Sequence, residues 1–260
     1  MSRPTTNPSW LEPGPGFDGV RMLTTTRFGG ASQAPYDCLN LALHVGDDPI
    51  AVAANRAQMR QVLPDDPIWL NQVHGTRVID ADAINLTETF EADAAVTCCN
   101  HRVLAIQTAD CMPIVIGAGQ EILGVAHAGW RGLARGILPA LIGAMQHKQV
   151  ALGDLSPLQW RAWIGPCIGP AAFEVGQEVY DAFVTINPAC QSFFLPVFDA
   201  PHKWLCDLPG LAVYQCQRLG IDAAMWCGLC TVDDAQGRFF SYRDQGRTGR
   251  MATLAWLDRA

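Results

Sequence analysis

The sequence predicts a single domain of mixed strands and helices, and three observations carry that reading. Short strand-like apolar runs, such as VRMLTT from Val20 to Thr25 and ILGVA from Ile122 to Ala126, alternate with stretches whose apolar residues recur at helical spacing. No internal repeat, low-complexity tract or linker divides the 260 residues. Hydrophobic residues make up 49% and charged ones 17%, a balance that buries a core and does not suit a disordered chain. The Pro- and Gly-rich residues 1–16 read as an irregular lead-in, and residues 17–260 as the domain.

Bulk properties also exclude some functions. A net charge of −7 speaks against nucleic-acid or anionic-membrane binding, since both need a cationic surface. Small anions stay open, because one local group of arginines can hold them. No stretch approaches the roughly 18 apolar residues of a membrane helix. The opening MSRPTTNPSWLEPGPG lacks the apolar centre of a signal peptide, so the expected location is cytoplasmic. Ten cysteines in such a setting are expected to be reduced, and most of them to be small buried hydrophobes. With no evident assembly segment, a monomer is expected.

In order, Val20 to Thr25 reads as a first strand, followed by the glycine-marked loop Arg27-Phe28-Gly29-Gly30. Asp47-Asp48-Pro49 starts a helix over about 50–63 through an acidic cap and a proline in the first turn. IWLNQVHGTRVID at 68–80 gives two strand-like pieces broken at His74-Gly75, and 92–97 and 103–108 give two more. Two apolar runs joined by the turn Gly117-Ala118-Gly119-Gln120-Glu121 read as paired strands, delivering Cys111 and His127 to one edge of a sheet. Leu133, Ile137, Leu141 and Met145 recur every four residues and predict one helix after His127, with Pro139 a possible disturbance. Further along, the pattern predicts a strand at 162–164, a helix at 174–183, a helix from Asp207-Leu208-Pro209 to Gly220, a strand near 238–242 and a short apolar tail at 251–257.

The chemistry concentrates on three residues. Zinc held by one thiolate and two imidazoles, with a fourth position open, is a catalytic arrangement that His74, Cys111 and His127 could supply. The same residues also suit a cysteine hydrolase or amidase, with Cys111 as nucleophile and His127 or His74 as base. A third reading is two satisfied histidines and a buried thiol. Free amides at a helix start near 130–133, with Arg131 beside them, could cradle an anion. Arg27, Arg243, Arg247 and Arg250 are further anion candidates. Asn40, Asn71 and Gln72 either bind substrate or satisfy backbone. Asp110 either orients a ligand histidine or caps a turn. Cys227-x-x-Cys230 has no second such pair to close a structural zinc site and is read as packing.

Several long blocks in the same order resemble one family. NQVHG (71–75), ADCMP (109–113) and HAGWRG (127–132) are similar to the signature blocks of the YfiH-like, laccase-domain family. That family is also called the polyphenol oxidase family and the multifunctional purine nucleoside phosphorylases. TTRFGGAS (25–32), LNLALHVGDDP (39–49), IGPCIGPAAFEVG (164–176) and FFSYRDQGRTGRMA (239–252) extend the resemblance over nearly the whole chain. The resemblance implies a mixed α/β fold, its central sheets covered by helices in α/β/β/α layers. It implies zinc on His74, Cys111 and His127, and leaves His44 outside the ligand set. It also implies phosphorolysis of adenosine, inosine, guanosine and S-methyl-5′-thioadenosine, and deamination of adenosine, with nucleosides and phosphate as the partners. Bound zinc brings the pKa of water to roughly 7, which is what deamination would use. Two other activities are attached to the family: editing of amino acids in peptidoglycan precursors, and copper-dependent polyphenol oxidation. The latter needs more histidines than this constellation supplies, although copper could still occupy such a site.

Overall fold

The computed structural model describes residues 9–12, 17–84, 90–153, 159–221 and 223–259. The expected lead-in falls mostly outside them. Its described part forms a short strand, β1 (Trp10–Leu11), which pairs antiparallel with β2 (Val20–Thr25). Helix α1 (Pro49–Arg60) starts as expected, with the Asp48 side chain accepting from the Ile50 amide and Pro49 in the first turn. Strands β3 (Leu70–Asn71) and β4 (Val78–Asp80) flank the bend at His74, and β5 (Phe90–Glu91), β6 (Ala94–Thr97) and β7 (Leu104–Thr108) follow. The expected hairpin is β8 (Met112–Ala118) and β9 (Ile122–Ala128), with Pro113 opposite His127.

The helix predicted after His127 is two helices, α2 (Trp130–Arg135) and α3 (Ile137–Ala151). The break is at Gly136, whose φ of 94° is left-handed backbone that glycine adopts without steric cost. Pro139 lies in the first turn of α3, where its missing N–H costs no helical bond. The four-residue periodicity carries straight across the break, so it did not reveal it.

Strand β10 (Trp160–Ile164), β11 (Glu174–Gly176), α4 (Gln177–Val184), β12 (Phe194–Pro196) and β13 (Lys203–Cys206) come next. They lead to α5 (Leu208–Arg218), capped by the Asp207 side chain as expected, and β14 (Ala223–Trp226). Residues 238–241 are irregular chain and not the predicted strand. Ser241 instead caps the short helix α6 (Tyr242–Gln245). The predicted apolar tail is a strand, β15 (Met251–Leu257), buried along its whole length between β2 and β7.

Two sheets form the centre, ordered β1-β2-β15-β7 and β14-β10-β8-β9-β6-β4. Alternation along each strand sorts the side chains between layers. Val115, Leu123 and Val125 face inward against Leu104, Ile106, Ala255 and Leu257 of the other sheet. Their neighbours Ile114, Ile116 and Ala126 face outward onto Leu138, Leu141 and Met145 of α3. On the far side, Leu23, Ala105 and Leu254 pack under Met59 of α1 and under Leu39 and Leu41. The result is one mixed α/β domain in α/β/β/α order. Because β8 and β9 are covered on both faces, they read in sequence as continuous apolar runs. Gly124 lets α3 approach closely, since a Cβ there would lie 2.6 Å from Met145 Sδ. Among the described residues no helix is long and apolar enough to cross a membrane.

Leu141 is fully buried in the layer between α3 and β9. Leu141→Ala is expected to lower the unfolding free energy by about 2–5 kcal/mol, read as a lower urea midpoint at an unchanged m-value.

Candidate metal centre and its cavity

The hairpin register puts Cys111, one residue before β8, and His127, next to last in β9, at the same end of the six-stranded sheet. His74 reaches them from the bend between β3 and β4. One ligand atom from each of the three lies within 4.8 Å of the others. Cys111 Sγ is 3.7 Å from His74 Nε2, and the two imidazoles meet edge to face with centroids 4.7 Å apart. Tetrahedral zinc with bonds near 2.3 Å to sulfur and 2.0–2.1 Å to nitrogen sets its sulfur and nitrogen ligands about 3.6 Å apart. The His74–Cys111 pair already has that spacing, and the soft thiolate with two imidazoles suits zinc or copper. Gly129 keeps the space open: a Cβ there would sit 2.9 Å from both Cys111 Sγ and His74 Cδ2.

His74 has a φ of 59°, an uncommon backbone for a side chain other than glycine. Asp93, which sequence reasoning did not single out, holds that bend. Its carboxylate accepts from the amides of Val73 (3.2 Å), His74 (2.9 Å) and Gly75 (2.7 Å). The same group lies 2.8 Å from His127 Nδ1, with both side chains buried. The signal in the sequence was the acid Asp93 directly before the apolar run Ala94-Ala95-Val96: a charge entering a buried strand needs partners.

The three groups are electrostatically coupled. Burial opposes ionisation of the Cys111 thiol, but the charges and hydrogen bonds of His127 and His74 outweigh it and bring the pKa down. Burial also opposes a charged His127, yet the Cys111 thiolate and the Asp93 carboxylate raise its pKa. Burial raises the Asp93 carboxyl, and His127 with the Gly75 and Val73 amides pulls it below the ordinary value. Every other cysteine whose pKa departs from the ordinary value moves up, with burial the largest cause.

The trio forms part of the wall of a cavity of about 530 Å³, shared with His44, Gln72, Trp130, Phe173 and Tyr242. Three of the anticipated arginines line it, namely Arg131, Arg243 and Arg250. None of the three makes an ion pair with a described carboxylate. Arg250 donates to the Thr248 and Gly249 carbonyls, and burial lowers its pKa. Arg243 reaches the Glu174 carbonyl, and Arg131 stacks on Trp130 at 4.4 Å.

The other candidates lie elsewhere. Arg27 pairs with Asp37 and lies over the Phe240 ring. Arg247 binds Tyr36 Oη and the Gly46 carbonyl. Asn40 is fully buried; its amide donates to Asp47 and the Ala42 carbonyl, and its oxygen accepts from the Ala42 and Arg250 amides. It therefore holds the Arg250 backbone and does not face the cavity. Gln72 and Gln107 exchange hydrogen bonds that tie the His74 segment to β7. Asp110 accepts from Thr231 Oγ1 and from the Arg243 amide, so it anchors the arginine loop. The carboxylate that contacts His127 is that of Asp93, not Asp110.

Two helix-covered sheets with a His–Cys–His group at one sheet end define a YfiH-type α/β protein. The chain belongs to the family described as multi-copper polyphenol oxidoreductase laccase, whose model matches residues 21–258. A Pseudomonas aeruginosa protein named purine nucleoside phosphorylase is 42% identical over 252 residues, covering 96% of this chain and 98% of its own. The Escherichia coli protein named purine nucleoside phosphorylase YfiH is 38% identical, covering 96% and 97%. A crystal structure of a Neisseria meningitidis protein superposes with a TM-score of 0.86 at 41% identity, over 97% of this chain and 100% of that one. Bacillus licheniformis YfiH gives 0.82 at 28% identity, over 97% of each chain.

In metal-free protein, iodoacetamide should alkylate Cys111 with a pH midpoint below the ordinary thiol value of about 8.5. His127→Ala should move the midpoint up, because the imidazole that favours the thiolate is gone. Peptide mass mapping across a pH series checks this, and equal midpoints in the two proteins would contradict the coupling.

Proposed function

We propose that the chain is a zinc-dependent purine nucleoside phosphorylase that also deaminates adenosine, with His74, Cys111 and His127 as the metal ligands. One observation carries the reading. A metal-type trio and three arginines that make no ion pair with a described carboxylate share a single cavity, in a chain whose net charge is −7. The names of the relatives support the same reaction class. The expected substrates are adenosine, inosine, guanosine and S-methyl-5′-thioadenosine.

Phosphorolysis needs phosphate held against the ribose C1′ while the purine leaves. Arg250, Arg243 and Arg131 bind the phosphate; the low-dielectric surroundings of half-buried Arg250 strengthen its contact. Asp110 and Asn40 fix the backbone at Arg243 and Arg250, which keeps the two guanidinium groups in place. Burial, followed by the charge of Arg250, lowers the pKa of His44, so its ring stays neutral and can hydrogen-bond a sugar hydroxyl. When bound, zinc supplies Lewis-acid polarisation and a lowered pKa for water reaching its open position, which serves deamination. A cysteine hydrolase built on Cys111 and His127 is the competing reading, favoured by their coupling, and it would keep its activity without metal.

Purified protein should contain zinc and release purine from inosine or adenosine in a phosphate-dependent way. Cys111→Ala should remove both the zinc and the turnover. Turnover that survives a chelator would instead favour the hydrolase, and unchanged zinc and turnover in Cys111→Ala would sink the proposal. Arg250→Met removes a charge-assisted contact worth about 1.5–3 kcal/mol. It should therefore raise the KM for phosphate and lower kcat/KM roughly 10- to 150-fold, while zinc content stays unchanged.

A further inference from the structure

We infer that Asp93 is the positioning residue for both imidazoles of the metal centre, acting on His127 through its ring and on His74 through its backbone. The inference rests on the reading of the trio as metal ligands, and it names what makes their geometry possible.

Asp93 is fully buried and makes no ion pair with a described lysine or arginine. A carboxylate in that position is costly unless every lone pair is used. Here Oδ1 accepts from the His74 amide and lies against His127 Nδ1, while Oδ2 accepts from the Gly75 and Val73 amides. All four partners are nitrogen groups that can donate.

Two consequences follow. With the Nδ1 proton of His127 committed to Asp93, Nε2 is the nitrogen that can release its proton and ligate, which gives the tautomer a metal requires. Three successive amides converging on one anion form a nest, and the nest holds His74 at its positive φ. Without that anion, the His74 backbone loses what keeps it left-handed, and its ring leaves the position 3.7 Å from Cys111 Sγ. Cys111 makes no hydrogen bond to Asp93 and stands outside this control.

Asparagine cannot substitute. Its NH₂ group would face donors on either oxygen's side, the His127 and His74 pair or the Val73 and Gly75 pair. Asp93→Asn in the full chain should therefore bind zinc about 10- to 100-fold more weakly than wild type, measured by competition with a chromophoric chelator. Asp93→Asn that folds and binds zinc as tightly as wild type overturns the inference.

Two measurements on zinc-free wild-type protein decide the matter if the variant does not fold. Recorded above the raised pKa of His127, its imidazole nitrogen resonances should report a single tautomer protonated at Nδ1. The His74 and Gly75 amides should exchange slowly with solvent although His74 itself is exposed. Mixed tautomers or rapid exchange at both amides would refute the positioning role. Wild-type protein that takes up no zinc overturns the metal reading instead, and these spectra still decide what Asp93 does.

Discussion

The β8–β9 hairpin is closed on both faces, and that closure constrains the rest of the molecule. Each of its strands is buried along its length between α3 on one side and the second sheet on the other. Polar chemistry has no place along such strands, because an unpaired polar group there would cost more than one contact returns. It can appear only where the strands end. The register of Pro113 opposite His127 makes Cys111 and His127 end together, and their separation is fixed by the sheet. A site built on a rigid sheet end needs only one more element to be brought to it, and the bend at His74 supplies that element.

The cavity inverts the charge of the chain around it. Among the described residues the one carboxylate in its lining, Asp110, accepts from Thr231 and the Arg243 amide, while Arg131, Arg243 and Arg250 make no ion pair with a described carboxylate. On the proposed reading, an acidic protein that gathers these guanidinium groups beside Cys111 and two imidazoles is arranged for a small anion. A broad polyanion would meet repulsion everywhere else. Steering and local contact therefore point to the same class of ligand, and the cavity of about 530 Å³ leaves room for a second reactant beside the anion.

The parts of this that were legible in the sequence are those set by local pattern. The hairpin was visible because two apolar runs flank a glycine-rich turn, and α1 because an acid and a proline mark its start. The break between α2 and α3 was hidden, since Leu133 and Ile137 keep helical spacing across Gly136 and only the backbone reverses. Strand β15 looked like a tail because both its partners, β2 and β7, lie far away in sequence. The arginines could not be sorted at all by pattern. Arg247 and Arg250 sit three residues apart in one loop, yet one packs against Tyr36 and the other lines the cavity.

The exchange of roles between Asp93 and Asp110 shows why proximity in sequence misleads at such a site. Asp110 adjoins Cys111, but its φ of 85° and its bonds to Thr231 and Arg243 turn it toward the C-terminal loop. Asp93 lies eighteen residues before Cys111 in sequence, yet β6 pairs with β9 so that the His127 amide donates to the Asp93 carbonyl at 2.7 Å. Strand pairing thus fixes this acid next to His127 in both backbone and side chain. The two carboxylates divide the work: Asp93 holds His74 and His127, and Asp110 holds the backbone of Arg243. Each is held by hydrogen-bond donors, and neither makes an ion pair with a described lysine or arginine. The cavity's own charges therefore stay available to a ligand.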